Sequence, residues 1–138
     1  MEKIILEQEI RVLCVKAATF PDDVLNAHQK LHYILPQGSK RNYFGISAPD
    51  ITGKISYKAA AEITDQIVDS QLGLEVFTIR KGKYYSVVIY DFMNCIYKIG
   101  STFQEIISRK DIDPEGYCIE WYFNDRDVRC MVKINEKE

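Results

Sequence analysis

Glu120 stands in the middle of Tyr117-Cys118-Ile119-Glu120-Trp121-Tyr122-Phe123, an aromatic and β-branched run that reads as a strand deep in a sheet. A carboxylate there is costly, because leaving water disfavours the charged form unless something compensates it. A cationic or polarised ligand is one compensator; Arg129 or Lys133 across the following hairpin is the other. A desolvated carboxylate flanked by tyrosines suits a cation whose apolar body stacks on the rings. The same group could deprotonate a water, since burial lifts a carboxyl toward the range useful for general base work.

Side chains alternate along a strand, so if Ile119, Trp121 and Phe123 face packed helices, then Cys118, Glu120 and Tyr122 face away. The same parity on Lys83-Tyr84-Tyr85-Ser86-Val87-Val88-Ile89-Tyr90 puts Val87 and Ile89 in the core and Tyr84 and Tyr90 on Glu120's side. The expected ligand-facing set is therefore Glu120, Tyr122, Tyr84, Tyr90 and Cys118, with Trp121 packed against the second helix. No His lies near Cys118 in sequence to activate it, so it reads as an inert thiol. No catalytic residue stands out unless Glu120 itself is one.

His28 and His32 lie one helical turn apart, a spacing that can hold a metal, but no third ligand adjoins them and Val24, Leu31 and Leu35 share their stripe. They read as a core-edge or surface pair. The four cysteines, Cys14, Cys95, Cys118 and Cys130, form no C-x-x-C pair, and Asp111, Asp113, Glu115, Asp125 and Asp127 lack calcium-loop order. Neither a metal nor a cofactor is expected.

The elements that must position these groups follow from periodicity. Ile10 to Val15 reads as a strand, and Phe20-Pro21-Asp22-Asp23 opens a helix carrying Val24, Leu25, His28, Leu31, His32 and Leu35, ended by Pro36-Gln37-Gly38-Ser39. Tyr43 to Ser47 is a short strand, and Lys54 to Ile63 alternates strictly enough to be another, although its Ala-rich centre would suit a helix. A strand from Lys83, a helix from Phe92 to Arg109 with Asp91 at its N-cap, and strands over Tyr117 to Phe123 and Val128 to Ile134 repeat that order. The expected fold is α+β: two strand-helix-strand-strand repeats, about residues 9–63 and 75–134, in one antiparallel sheet. Both helices would lie on one face and a ligand groove on the other.

The chain has 138 residues, 46% hydrophobic and 28% charged, which suits one domain with a real core. A net charge of −2 with scattered Lys and Arg argues against direct nucleic-acid binding. With neither a leader pattern nor a long apolar run, export and membrane insertion are not expected, and the cytoplasm is the default.

Gly82-Lys83-Tyr84, the helix with Ile99 and Phe103, the Tyr117-x-Ile119-Glu120-x-Tyr122 strand and the closing Val128-x-x-Met131-Val132-Lys133-Ile134 strand together resemble the GyrI-like small-molecule-binding domains. These belong to the SOUL/GyrI-like superfamily and include the BmrR-type effector-binding modules of multidrug-responsive regulators. The resemblance implies a pseudo-two-fold pair of modules with a groove in which Glu120 faces aromatic residues and accepts lipophilic cations. It adds Tyr57 as a wall of that groove, although parity alone could equally bury Tyr57 beneath the helices. The first strand begins within the first dozen residues, so the resemblance is to the ligand module without its DNA-binding domain. Three functions follow as expectations: capture of a hydrophobic, cationic or polycyclic molecule; hydrolysis of strained electrophilic toxins by Glu120 and a Tyr; and a gyrase-inhibitor-like protein contact, which the small net charge supports little. Any protein partner is otherwise unknown.

Overall fold

Strands form where β-branched and aromatic residues cluster, and they all join one sheet. The computed structural model describes residues 1–35 and 40–136. In chain order the elements are β1 (Glu2–Leu6), β2 (Ile10–Lys16), α1 (Val24–Ile34), β3 (Tyr43–Pro49), β4 (Ile55–Glu62) and α2 (Gln66–Ser70). They continue with β5 (Glu75–Ile79), β6 (Gly82–Ile89), a 3₁₀ turn (Phe92–Asn94), α3 (Tyr97–Ile107), β7 (Cys118–Tyr122) and β8 (Val128–Lys133). The Ala-rich stretch is strand β4, because Tyr57, Ala59 and Ala61 pack under α1 while Ala60 packs on the opposite face. The Pro36-Gln37-Gly38-Ser39 stop lies outside the described residues.

The eight strands pair antiparallel in the order β1-β6-β8-β7-β3-β4-β2-β5. This order is a palindrome when β1 is matched with β5, β2 with β6, β3 with β7 and β4 with β8. The leading strand of each repeat therefore joins the other repeat, β1 on β6 and β5 on β2. The expected α+β sheet with both helices on one face is what the chain forms. The second helix begins later than expected: the 3₁₀ turn interrupts it, and Asp91 takes a left-handed φ of 54° with no side-chain cap.

Both faces of the sheet are apolar. The helix face divides into a cluster under α1 (Leu13, Val15, Leu31, Tyr57) and one under α3 (Tyr85, Ile89, Phe103, Ile106, Val128, Cys130). Burying Leu31 completely is worth about 1.5–3 kcal/mol. The other face closes on itself: Val12, Phe44, Ile46, Ile79, Tyr84, Ile119 and Met131 form a third core, joined by residues of β1 and β5. Phe77 of β5 meets the Tyr117 ring at 5.0 Å beside β7, although β2, β4 and β3 intervene, so the sheet is strongly curled.

That third core reverses the parity expected for β7 but not for β6, where Val87 and Ile89 face the helices and Tyr84 faces away as expected. Ile119 and Trp121 pack in the curl, whereas Cys118 and Tyr122 pack under the helices with Tyr85, Val87 and Ile89. Trp121 is therefore not against the second helix, and Glu120, between Cys118 and Tyr122 in alternation, is on the helix side. Large apolar residues identify the helix face only when one face is dry, and here both are.

Candidate functional site

β3 and β7 run side by side at the middle of the sheet, with Gly45 directly opposite Glu120. Tyr57, on β4, reaches Glu120 by passing over β3, and only a glycine leaves that path open. A Cβ at Gly45 would lie 2.0 Å from Tyr57 Oη and 3.1 Å from Glu120 Oε1. Tyr57 Oη donates to Glu120 Oε1 at 3.2 Å. Tyr122, two residues along the same face of β7, donates its hydroxyl to the same oxygen in a short bond. The Oε2 atom accepts nothing from the described residues.

From above, α1 contributes His28, whose Nε2 is 2.8 Å from Tyr57 Oη and whose ring meets Tyr57 and Tyr122 edge-on at 5.7 and 5.6 Å. The one hydroxyl proton of Tyr57 goes to Glu120, so Nε2 is the donor to Tyr57. Phe20, ahead of α1, stacks on Tyr57 at 5.9 Å, and Phe92 of the 3₁₀ turn meets Tyr122 at 5.4 Å. Phe20 remains 45% exposed, so this aromatic rim reaches water.

The electrostatics follow from burial. Glu120 is 8% exposed, and desolvation raises its pKa against the opposing pull of the Tyr122 and Tyr57 hydrogen bonds. Burial, and then the Glu120 charge, hold Tyr57 and Tyr122 protonated. The Cys118 thiol is pushed up to about 11 by burial and by Glu120, so it is no nucleophile. Desolvation, with His32 adding to it, pushes His28 down to about 4, leaving its imidazole neutral at neutral pH.

Among the described residues no cation pairs with Glu120. Arg129 binds Glu2 at 2.7 Å and Ser86, and Lys133 binds Glu136 at 2.9 Å. Arg129 is the register partner of Trp121, and Cys130 that of Glu120, so Arg129 sits on the other face. In place of a cross-strand cation the carboxylate has two phenols, one of them backed by the His28 imidazole.

Of the expected site residues, the structure brings together Glu120, Tyr122, Tyr57 and Cys118. Tyr84 is fully buried on the opposite face beside Ile119 and Met131, and its hydroxyl donates to the Arg80 carbonyl at 2.5 Å. Tyr90 follows β6, is 72% exposed, and borders a shallow depression with Met1, Glu2, Ser86 and Glu105 rather than Glu120. Tyr85 packs under α3 and Tyr117 packs against the core in the curl, whereas Tyr97 is 76% exposed. Sequence reasoning missed His28, Gly45, Phe20 and Phe92 as parts of the site. The available signal for His28 was its place on the apolar stripe of α1; His32 turns aside and stacks on Tyr43 at 4.3 Å.

No family model matches the chain, and no curated protein matches it. Solved structures do. An integron cassette protein from the mobile metagenome of Vibrio cholerae superposes with a TM-score of 0.71 at 12% identity, over 97% of this chain and 95% of that one. SAV2435, solved bound to tetraphenylphosphonium, gives 0.67 at 12% identity over 98% and 93%. A hydrolase from Listeria innocua gives 0.58 at 11% identity over 97% and 91%. At such identities the likeness is one of fold, and the curled antiparallel sheet with two helices on one face is a fold this chain shares with all three.

Proposed function

We propose that this chain binds a hydrophobic, cationic small molecule at Glu120, between α1 and the 3₁₀ turn before α3. The observation that carries the reading is a buried carboxylate with no cationic partner among the described residues, one oxygen tied to two phenols and the other unclaimed. An organic cation beside Oε2 would supply the missing charge, and the rims at Phe20 and Phe92 would cover its apolar body. Cation–π contact there is worth about 0.5–2 kcal/mol once water is excluded. The resemblance to GyrI-like effector-binding domains and the tetraphenylphosphonium held by a protein of the same fold both support it.

Isothermal titration with tetraphenylphosphonium should show saturable binding that Glu120→Gln weakens at least tenfold, while a neutral triarylphosphine oxide binds both proteins weakly. Equal affinity of the two proteins for the cation would refute the reading.

A second reading rests on the raised pKa of Glu120 and its unclaimed oxygen. Such a carboxylate could take a proton from water attacking a strained electrophile, with Tyr57 or Tyr122 donating to the developing anion. Mass spectrometry of an epoxide or cyclopropane substrate after incubation should then show addition of one water that Glu120→Gln abolishes. Substrate recovered intact would remove hydrolysis.

A further inference from the structure

Three polar groups lie in series from the helix layer to the middle of the sheet: His28 Nε2 is 2.8 Å from Tyr57 Oη, which is 3.2 Å from Glu120 Oε1. His28 is half-buried on α1 and Tyr57 only 1% exposed, so the imidazole is the wetter end of the series. Tyr122, the other donor to Glu120, has its hydroxyl beside that of Tyr57 and its ring against Phe92 and His28, so among the described residues it opens no separate route.

We propose that His28, Tyr57 and Glu120 form a proton wire, so that the site admits a cation in exchange for a proton that leaves through His28. The exchange rests on the cation-binding reading given above; the wire does not.

The protons balance as follows. With Glu120 ionised, His28 Nε2–H donates to Tyr57 Oη and Tyr57 O–H donates to Glu120 Oε1. A proton arriving from water at His28 Nδ1 lets the Nε2 proton pass to Tyr57, whose own proton passes to Glu120. The result is a neutral carboxyl, a Tyr57 that now donates to Nε2, and a neutral imidazole carrying its proton on Nδ1. One proton has been taken up, no charge remains on any of the three groups, and the tautomer of His28 records the charge of Glu120. A cation arriving beside Glu120 drives the sequence backwards and releases one proton.

The titratable groups facing these three are Tyr122 and Cys118 on β7, Cys130 on β8, and His32 one turn along α1. The phenol and both thiols are held protonated by burial. His32 is stacked on Tyr43 outside the series.

The test follows the nitrogen-15 shifts of the His28 ring and the carbon-13 shift of the Glu120 carboxyl through one pH titration of the full chain. Glu120 should take its proton above the ordinary carboxylate range, and at that same pH His28 should pass from the Nε2–H to the Nδ1–H tautomer while staying neutral. In Tyr57→Phe the carboxyl should still titrate and the His28 tautomer should stop following it. A tautomer that never changes as Glu120 titrates, or that follows equally well in Tyr57→Phe, overturns the wire. Tetraphenylphosphonium added below the transition should restore the Nε2–H tautomer and release close to one proton per cation, counted by calorimetry in buffers of different ionisation enthalpy. Binding without proton release would sink the exchange and leave the proposed function standing. Absence of binding would sink that function and the exchange together, with the wire still decided by the two titrations.

Discussion

Gly45→Ala is the sharpest perturbation of the site, because it adds one methyl group at a defined place. That carbon would meet Tyr57 Oη at 2.0 Å and Cζ at 2.7 Å, well inside van der Waals contact. The backbone of Gly45 needs no left-handed conformation, so the cost is steric alone. Tyr57 cannot swing aside cheaply: it is 1% exposed, stacked by Phe20 and held by His28. Forcing it away forfeits its bond to the Glu120 carboxyl, worth about 1.5–3 kcal/mol. Keeping it in place requires the sheet to give, an overpacking cost of about 1–3 kcal/mol. Urea unfolding should therefore show a loss of about 2–3 kcal/mol, or roughly 6–12 °C in Tm for a domain of this size. In a Tyr57→Phe background the Oη contact is gone and only the Cζ contact remains, so the same substitution should cost at least about 1 kcal/mol less. Equal penalties in the two backgrounds, or no penalty in either, would refute the placement of Tyr57 over Gly45.

Other consequences are testable with the same unfolding assay. His28, held near 4 against an ordinary 6.5, binds its proton more readily in the unfolded chain. Stability should then fall as pH drops through that window, by on the order of 3 kcal/mol at about 1.4 kcal/mol per unit, and His28→Gln should flatten the slope. Glu120 has the opposite sign: raised in the folded state, it holds its proton more tightly there, so its contribution is lost as pH rises from the ordinary carboxyl range to its raised value. Glu120→Gln should be more stable than the wild type on the alkaline side and lose that slope, and a variant that unfolds at lower urea there would contradict the burial argument. Arg41 and Asp69 form a buried pair at 3.1 Å, with side chains 2% and 1% exposed. Asp69→Ala should cost about 1–3 kcal/mol because it removes the acceptor of the Thr64 and Asp65 amides and one partner of a guanidinium that keeps the Glu62 carbonyl, and a loss below about 0.5 kcal/mol would mean the carboxylate is dispensable.

The strands and helices that carry the site were legible because each has a clear period: β4 by alternation through Tyr57, Ala59 and Ala61, α1 by its stripe of Leu31 and Leu35. The edge strands were not. β1 and β5 are five residues each, open with a glutamate and are half wet, with Ile5 58% and Val76 44% exposed, so their pattern is too short to stand out. Glu120 was identifiable from its surroundings, since a carboxylate among Ile119, Trp121 and Tyr122 has few structural excuses. Its face was not, because Trp121 and Tyr122 are both large and both packed, one in the curl and one under α3. The same ambiguity put Tyr84 in the expected set. Tyr57 was reached only through the resemblance, and nothing local to β4 says that its hydroxyl crosses β3. Gly45 escaped notice because a missing side chain leaves no periodic trace.

The palindromic strand order places β3 against β7, so the middle of the sheet is where one repeat meets the other. Along that seam most cross-strand pairs match in kind: Tyr43 with Tyr122, Phe44 with Trp121, Ile46 with Ile119. The pair Gly45 and Glu120 does not, since one member has no side chain and the other carries a charge. The vacancy on one side is what lets Tyr57 reach the acid on the other, so the site exists because the two repeats differ at this point. Neither repeat contains it alone: His28, Gly45 and Tyr57 come from the first, Glu120, Tyr122 and Phe92 from the second. Because β1 and β5 are exchanged between repeats, the two halves cannot part along the β3–β7 seam without also peeling off both edge strands. On the proposed function, a cation at Glu120 would enter past the aromatic rim of the helix layer rather than by opening the sheet, and Phe20 and Phe92 are the side chains at that rim.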